Sequence, residues 1–441
     1  MSLIRTALLE SVVQSGSMMA ARLSLIAATF IIGVFRPLND VIQFDSFALG
    51  ATFIALGLGF GMESGMSLLA KEDSSEQRHL MLWVALAFPA CLVLPLGIAV
   101  WGASFLLDPV LLTWKQWGLA VIFGYLQANL SIAYSFDRFS GSAIRISLKI
   151  LAVNLLGFSA GTVALAQGGL VSDFMVLYAS ALGLGNLWMI PPLLWRHRVS
   201  CKGHEEILAT FRMLAGFSVW FLLSSLTLFL RRPIERMAVL SFSSPAMLGG
   251  YIILSRLAEL VGLVGTVLSS GFMPIVIRRY HDRDGMGKSL ARKLLNGYCV
   301  LSILLLIGAL VLWPLYLYRI EFPPEFPVMS VLFLLVTANI FIGGASLSGQ
   351  GFVLTHKSYF VGAAGGVLIA TFAAFTALFI LLGLGIWATP FGLLGAAVIY
   401  ILLIVQGSEY LAPVGFSIWR QIGWMIGLIG LAFALGQWVQ R

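Results

Sequence analysis

Residues 251–262 read YIILSRLAELVG and lie inside an apolar run, 246–277, long enough to cross a bilayer. Yet this run holds an arginine and a glutamate three residues apart, Arg256 and Glu259. Outward from it, runs of about 20 apolar residues recur along the whole chain, the length a helix needs to span the hydrocarbon core. Of the 441 residues, 59% are hydrophobic and only 10% are charged, whereas soluble chains are about a quarter charged. Mean hydropathy is +0.97. The short alternating segments of a β-barrel are missing from the pattern. The composition and periodicity therefore predict an all-α polytopic membrane protein.

Thirteen segments read as spans, among them 8–34, 45–70, 208–230, 246–277 and, last, 419–438. The first is too long and too polar in its first half for a cleavable signal and reads as a membrane helix. With the N-terminus in the cytoplasm, most of the Lys and Arg fall on that side, densest at Arg196–Arg212 and Arg278–Lys293. The opposite side receives fewer: Arg36, Lys115, Arg231, Arg232, Arg236, Arg319 and Arg441. The positive-inside rule therefore puts the N-terminus inside. Pro323, Pro324 and Pro327 mark an external turn. Every connection is short, so no soluble catalytic domain is expected and the chain does not read as an enzyme.

The most polar connection, RHRVSCKGHEEI at 196–207, falls near mid-chain. It divides the chain into a six-helix lobe at 1–199, a second at 200–414 and an additional helix at 415–441, the repeat logic of many transporters. A short echo fits this division: Arg36-Pro37-Leu38 follows the first segment and Arg232-Pro233-Ile234 the seventh. Cys91, Cys201 and Cys299 have no metal or disulfide spacing, and the five histidines form no HxxxH or HExxH pattern. No metal or cofactor is expected, and nothing points to nucleic acid.

Charge inside the membrane is rare and usually faces protein or a wet cavity. Arg22 lies in the first segment behind a polar stripe of Ser11, Gln14, Ser15 and Met18. Arg256 is roughly 15 Å from the external end at 1.5 Å per residue, too deep to snorkel out. It shares a helix face with Glu259, near Tyr251 and Ser255. Two readings stand. The pair neutralises itself and pins packing, or it lines a cavity where Arg256 offers a guanidinium fork to an anion and Glu259 tunes it or carries a proton. Gly57, Gly61 and Gly65 form one smooth face of the second segment. Glu63 points elsewhere, as a solvated charge or a coupling residue, and Asp137 and Arg138 read as flanking cytoplasmic charges.

Three stretches carry a resemblance: ALGLGFGMESGMSLLAKE (55–72), GGYIILSRLAELVGLVGTVLSSGFMPIVIRRY (249–280) and PFGLLGAAVIY (390–400). With the order and length of the spans, they resemble the Wzx-type O-antigen and exopolysaccharide flippases of the multidrug/oligosaccharidyl-lipid/polysaccharide (MOP) exporter superfamily. The resemblance implies two six-helix lobes around a central cleft, alternately open to each side. It implies a polyprenyl-diphosphate-linked oligosaccharide as substrate, flipped from the cytoplasmic to the periplasmic face of a bacterial inner membrane. Arg22, Arg36, Arg231, Arg232, Arg256 and Tyr251 fall where substrate-binding residues are expected, with Glu259 and Glu63 as coupling or charge-pair residues. Membrane lipids and a glycan polymerase are the implied partners, and the chain is expected to be a monomer. The thirteenth span departs from the twelve or fourteen common in the superfamily. A MATE-like exporter of cations or drugs is the alternative, and it should place acids rather than arginines in its cleft. A membrane glycan polymerase or ligase is a third reading, disfavoured by the short external loops.

Overall fold

The computed structural model describes residues 23–66, 74–104, 113–140, 143–199, 203–279, 286–317, 319–349, 352, 359–411, 413 and 415–439. Among these the chain is helical, with no strand. Its helices are α1 (Leu23–Phe35), then α2 (Leu38–Gly59), α3 (Met62–Gly65), α4 (Ser75–Ser104), α5 (Trp114–Ser140), α6 (Ala143–Ala166), α7 (Val171–Arg196) and α8 (His204–Leu240). They continue as α9 (Pro245–Arg279), α10 (Met286–Leu317), α11 (Val328–Ser348), α12 (Tyr359–Leu381), α13 (Ala388–Leu411) and α14 (Ile418–Val439). Twelve of the described helices are long and apolar enough to cross a membrane, and α1 is a shorter apolar helix. The all-helical, many-span expectation holds.

The chain forms two compact units. The N-terminal unit comprises the described parts of Gly16–Arg36 and Asp40–Leu226. The C-terminal unit comprises Pro37–Asn39 and the described parts of Thr227–Arg441. The division falls inside α8.

Within the N-terminal unit, α7 packs on α5 and α6, and α5 on α4. Small residues let these helices close. A side chain at Gly157 would strike the Tyr178 ring, and one at Gly161 the Phe174 ring. The rings of Phe44 and Phe174 meet edge to face at 5.5 Å, as do those of Phe123 and Tyr178 at 5.4 Å, a favoured aromatic geometry.

Two expected spans end elsewhere. The 45–70 segment is not one helix: α2 stops at Gly59, and Phe60 and Gly61 take positive φ of 46° and 68°. The tight turn has a packing reason. A Cβ at Gly61 would sit 2.5 Å from the Ser218 carbonyl oxygen of α8, so only glycine allows both the backbone and the approach. Gly57, Gly61 and Gly65 thus form no continuous stripe. The 208–230 segment is longer than expected: α8 has 37 residues and carries Pro233 inside it. At 1.5 Å per residue it is about 55 Å long, well beyond a bilayer core. The echo is therefore local, because Arg36-Pro37 lies at a helix break whereas Arg232-Pro233 lies within a helix.

In the C-terminal unit α11 is central. It packs on α9, α10, α13 and α14, and every residue from Val331 to Phe341 is buried. Its approach to α9 is a backbone contact, since a Cβ at Gly265 would lie 2.5 Å from the Gly343 carbonyl carbon and oxygen. This is the small-residue packing that lets membrane helices associate without a hydrophobic drive. Tyr298 of α10 adds a hydrogen bond to the Ile340 carbonyl at 2.9 Å.

Candidate functional site

The last turns of α8 carry Arg231, Arg232, Glu235 and Arg236, at spacings that put neighbours on one face. Beside them α9 presents Ser255, Arg256 and Glu259, and α11 presents Asn339. All belong to the C-terminal unit.

Glu259 is the hub. Arg232 grips its carboxylate bidentately, Nε to Oε1 at 2.9 Å and Nη2 to Oε2 at 2.9 Å. Arg256 donates from Nη1 to Oε2 at 2.9 Å, and Arg231 from Nη2 to Oε1 at 3.4 Å. The second carboxylate, Glu235, is fully buried. Arg231 Nε lies 3.1 Å from its Oε1, one turn away on the same helix, without the alignment of a hydrogen bond. Arg236 and Ser255 reach its Oε2 at 3.4 and 3.3 Å. Arg231 also meets Asn339 Oδ1 at 3.5 Å.

Among the described residues, four guanidinium groups thus surround two carboxylates. Burying ions costs several kcal/mol each and is repaid only by close, well-bonded partners. Arg231, Arg236, Arg256 and both glutamates are buried, whereas the Arg232 side chain is 26% exposed. Tyr251 lies on α9 one turn before Ser255. It is fully buried, and its hydroxyl has no hydrogen-bond partner among the described residues. A buried hydroxyl in that state has unused bonding capacity.

The structure therefore brings together Arg231, Arg232, Arg256, Glu259 and, one turn along, Tyr251. It takes Arg231, Arg232 and Arg236 out of the external loop where the charge count places them. Arg36 belongs to the N-terminal unit and donates from Nη2 to the Gly169 carbonyl. Glu63 is half-buried in the first turn of α3, also in the N-terminal unit. Arg22 and its stripe lie outside the described residues. Glu235 is missing from the sequence reading, and its signal was the spacing RRPIER, which puts Arg231 and Glu235 at i, i+4. Ending the seventh span at 230 hides it.

The N-terminal unit buries a different set. Asp45 and Asp137 are buried, so Asp137 is not the solvated flanking charge the sequence suggests. Tyr178 donates to Asn154 Oδ1 at 2.7 Å, and Asn186 donates to the Leu126 carbonyl at 3.1 Å. No group of three or more His, Cys, Asp or Glu side chains suited to a metal occurs among the described residues.

No protein-family model matches the chain, and no curated protein matches it. Solved structures do. A Vibrio cholerae MATE transporter shares 16% identity at a TM-score of 0.69, with 95% of this chain and 100% of that chain aligned. The lipid II flippase MurJ in an inward closed conformation shares 13% identity at 0.70, over 96% of this chain and 92% of that one. A MOP superfamily transporter from Pyrococcus furiosus, described as having a binding pocket of reversed polarity that suggests a different function, shares 15% at 0.67, over 92% and 96%. At these identities the likeness is one of fold: the chain has the transporter fold that MATE exporters and the MurJ flippase of the MOP superfamily share.

Proposed function

We propose that the chain is a flippase. It moves a polyprenyl-diphosphate-linked oligosaccharide, an O-antigen or exopolysaccharide repeat unit, from the cytoplasmic to the periplasmic face of a bacterial inner membrane by alternating access. The observation that carries this reading is the gathering of four arginine side chains on α8 and α9, beside Asn339 of α11, inside the C-terminal unit. A diphosphate brings negative charge, and its oxygens match guanidinium forks. Arg232, the accessible member, meets the headgroup first, and Arg256 and Arg231 complete the grip, while the polyprenyl tail stays in lipid. An exporter of organic cations would be repelled by this cluster.

One observation favours that second reading. Asp45 and Asp137 are buried in the N-terminal unit, the residue type that a cation exporter requires.

The test uses native cells lacking the protein, complemented with wild type or Arg256→Ala, and asks which membrane face holds the lipid-linked repeat units. Cytoplasmic-face accumulation, relieved by wild type and not by a normally inserted Arg256→Ala, is the expected result. A deletion strain that exports its glycan normally, with no second flippase present, would send the reading to the exporter.

A further inference from the structure

We infer that Glu259 is a resident counter-anion, occupying the guanidinium donors that the substrate's phosphate groups must use and competing with them for the cluster. The inference rests on the flippase reading and deepens it. It names the residue that sets how tightly the anion is held and how readily it leaves.

The two glutamates of the cluster are held in different ways. Glu235 contacts Arg231 and Arg236 of its own helix and Ser255 of α9, and is sealed from solvent. It is part of the framework. Glu259 instead ties two helices together through donors that all come from arginines, and its strongest partner is Arg232. Arg232 uses its Nε/Nη2 edge for this bond, the same planar edge that binds a phosphate bidentately. Its side chain is also the most exposed of the four, at 26%. An arriving phosphate therefore meets Arg232 first and finds its fork taken. Displacing Glu259 from that edge exchanges one anion for another without leaving a bare guanidinium at any stage. The reverse exchange expels the product. The orphan hydroxyl of Tyr251 offers one more donor to an incoming oxygen without breaking an existing bond.

A carboxylate fixed among the phosphate-binding donors lowers affinity twice, by occupying donors and by repelling the ligand. Neutralising it while keeping its shape should tighten binding by about tenfold or more, the scale of one close like-charge contact. It should also slow release, so that Glu259→Gln binds more and flips less.

The experiment measures binding of a fluorescent polyprenyl diphosphate to the purified full-length protein in lipid nanodiscs. Wild type, Glu259→Gln, Glu259→Asp and Glu235→Gln are compared. The expected order is Glu259→Gln tightest, then Glu259→Asp, whose shorter arm keeps the charge but loosens the Arg232 fork, then wild type. Glu235→Gln adds the same net charge without clearing the fork and should gain much less. Should Glu259→Gln fail to fold, the few-fold gain in Glu259→Asp carries the test. Equal gains in the Glu259 and Glu235 variants would reduce the effect to net charge and overturn the inference. So would unchanged or weaker binding in both Glu259 variants. Those results leave the flippase reading standing, because wild type still binds the probe. Absence of binding in folded wild type and in every folded variant would overturn the flippase reading itself.

Discussion

The two units bury polarity in opposite ways. The C-terminal unit gathers four arginines around two glutamates. The N-terminal unit holds two buried aspartates and neutral amide and phenol groups such as Asn154, Asn186 and Tyr178. The first arrangement offsets desolvation through close pairing of opposite charges. The second is built from local hydrogen bonds, several of them back to the helix's own carbonyls. Among the described residues, one fold thus carries a cluster of paired charges in one unit and, in the other, amide and phenol groups with two buried aspartates.

The largest expected effect breaks the charged side of this contrast. Glu235→Ala leaves Arg231 and Arg236 short of a buried counter-ion, and loss of one partner of a buried pair costs about 3–5 kcal/mol. The variant should express poorly and unfold at markedly lower temperature in a scanning-fluorimetry measurement. Arg232→Lys comes next. It keeps the charge but loses the fork, so affinity for a polyprenyl diphosphate should fall while thermal stability changes by about 1 kcal/mol or less, as for a partly exposed pair. On the neutral side, Tyr178→Phe removes the bond to Asn154 and should cost about 1–2 kcal/mol, with headgroup affinity unchanged. A drop in affinity there would erase the distinction between the units.

The smallest effect concerns pH. His197 lies just beyond α7, its ring edge-on to Phe136 at 5.0 Å and to His79 at 4.6 Å. Trp83 donates to its carbonyl at 2.8 Å. Burial, then the charges of His79 and Arg196, hold its pKa below the ordinary histidine value. The folded state therefore binds this proton less readily than the unfolded chain. The contribution is fully present above the unfolded pKa near 6.5 and is lost as pH falls below it. Thermal stability should decline between about pH 7.5 and 5.5, and His197→Gln should flatten part of that slope.

Much of this was legible in the amino-acid order. Apolar runs of about 20 residues announce the fold because a segment of that length satisfies its own backbone in lipid as a helix, whereas barrel strands are about half as long and alternate. The i, i+3 spacing of Arg256 and Glu259 announces their pairing, and they do meet, at 2.9 Å. What stayed hidden depended on contacts distant in sequence. Gly61 reads as one residue of a smooth stripe until Ser218 of α8 is seen against it. The seventh span reads as ending at 230, yet the helix runs on through Pro233, and Glu235 two residues later becomes the framework carboxylate of the cluster. Asp45 falls at the edge of an expected span and Asp137 near a cytoplasmic end, positions where water normally solvates an acid, and only packing shows both to be buried.

The most direct measurement is translocation by purified protein in sealed proteoliposomes. A fluorescent polyprenyl-diphosphate-linked glycan in one leaflet and a lipophilic cationic dye would be followed in parallel, for wild type and for Arg232→Gln/Arg256→Gln. Wild type is expected to move the anionic lipid and not the dye, and the double substitution to abolish the movement. Transport of the dye with the anionic lipid left in place would contradict the flippase reading and point to the buried aspartates of the N-terminal unit.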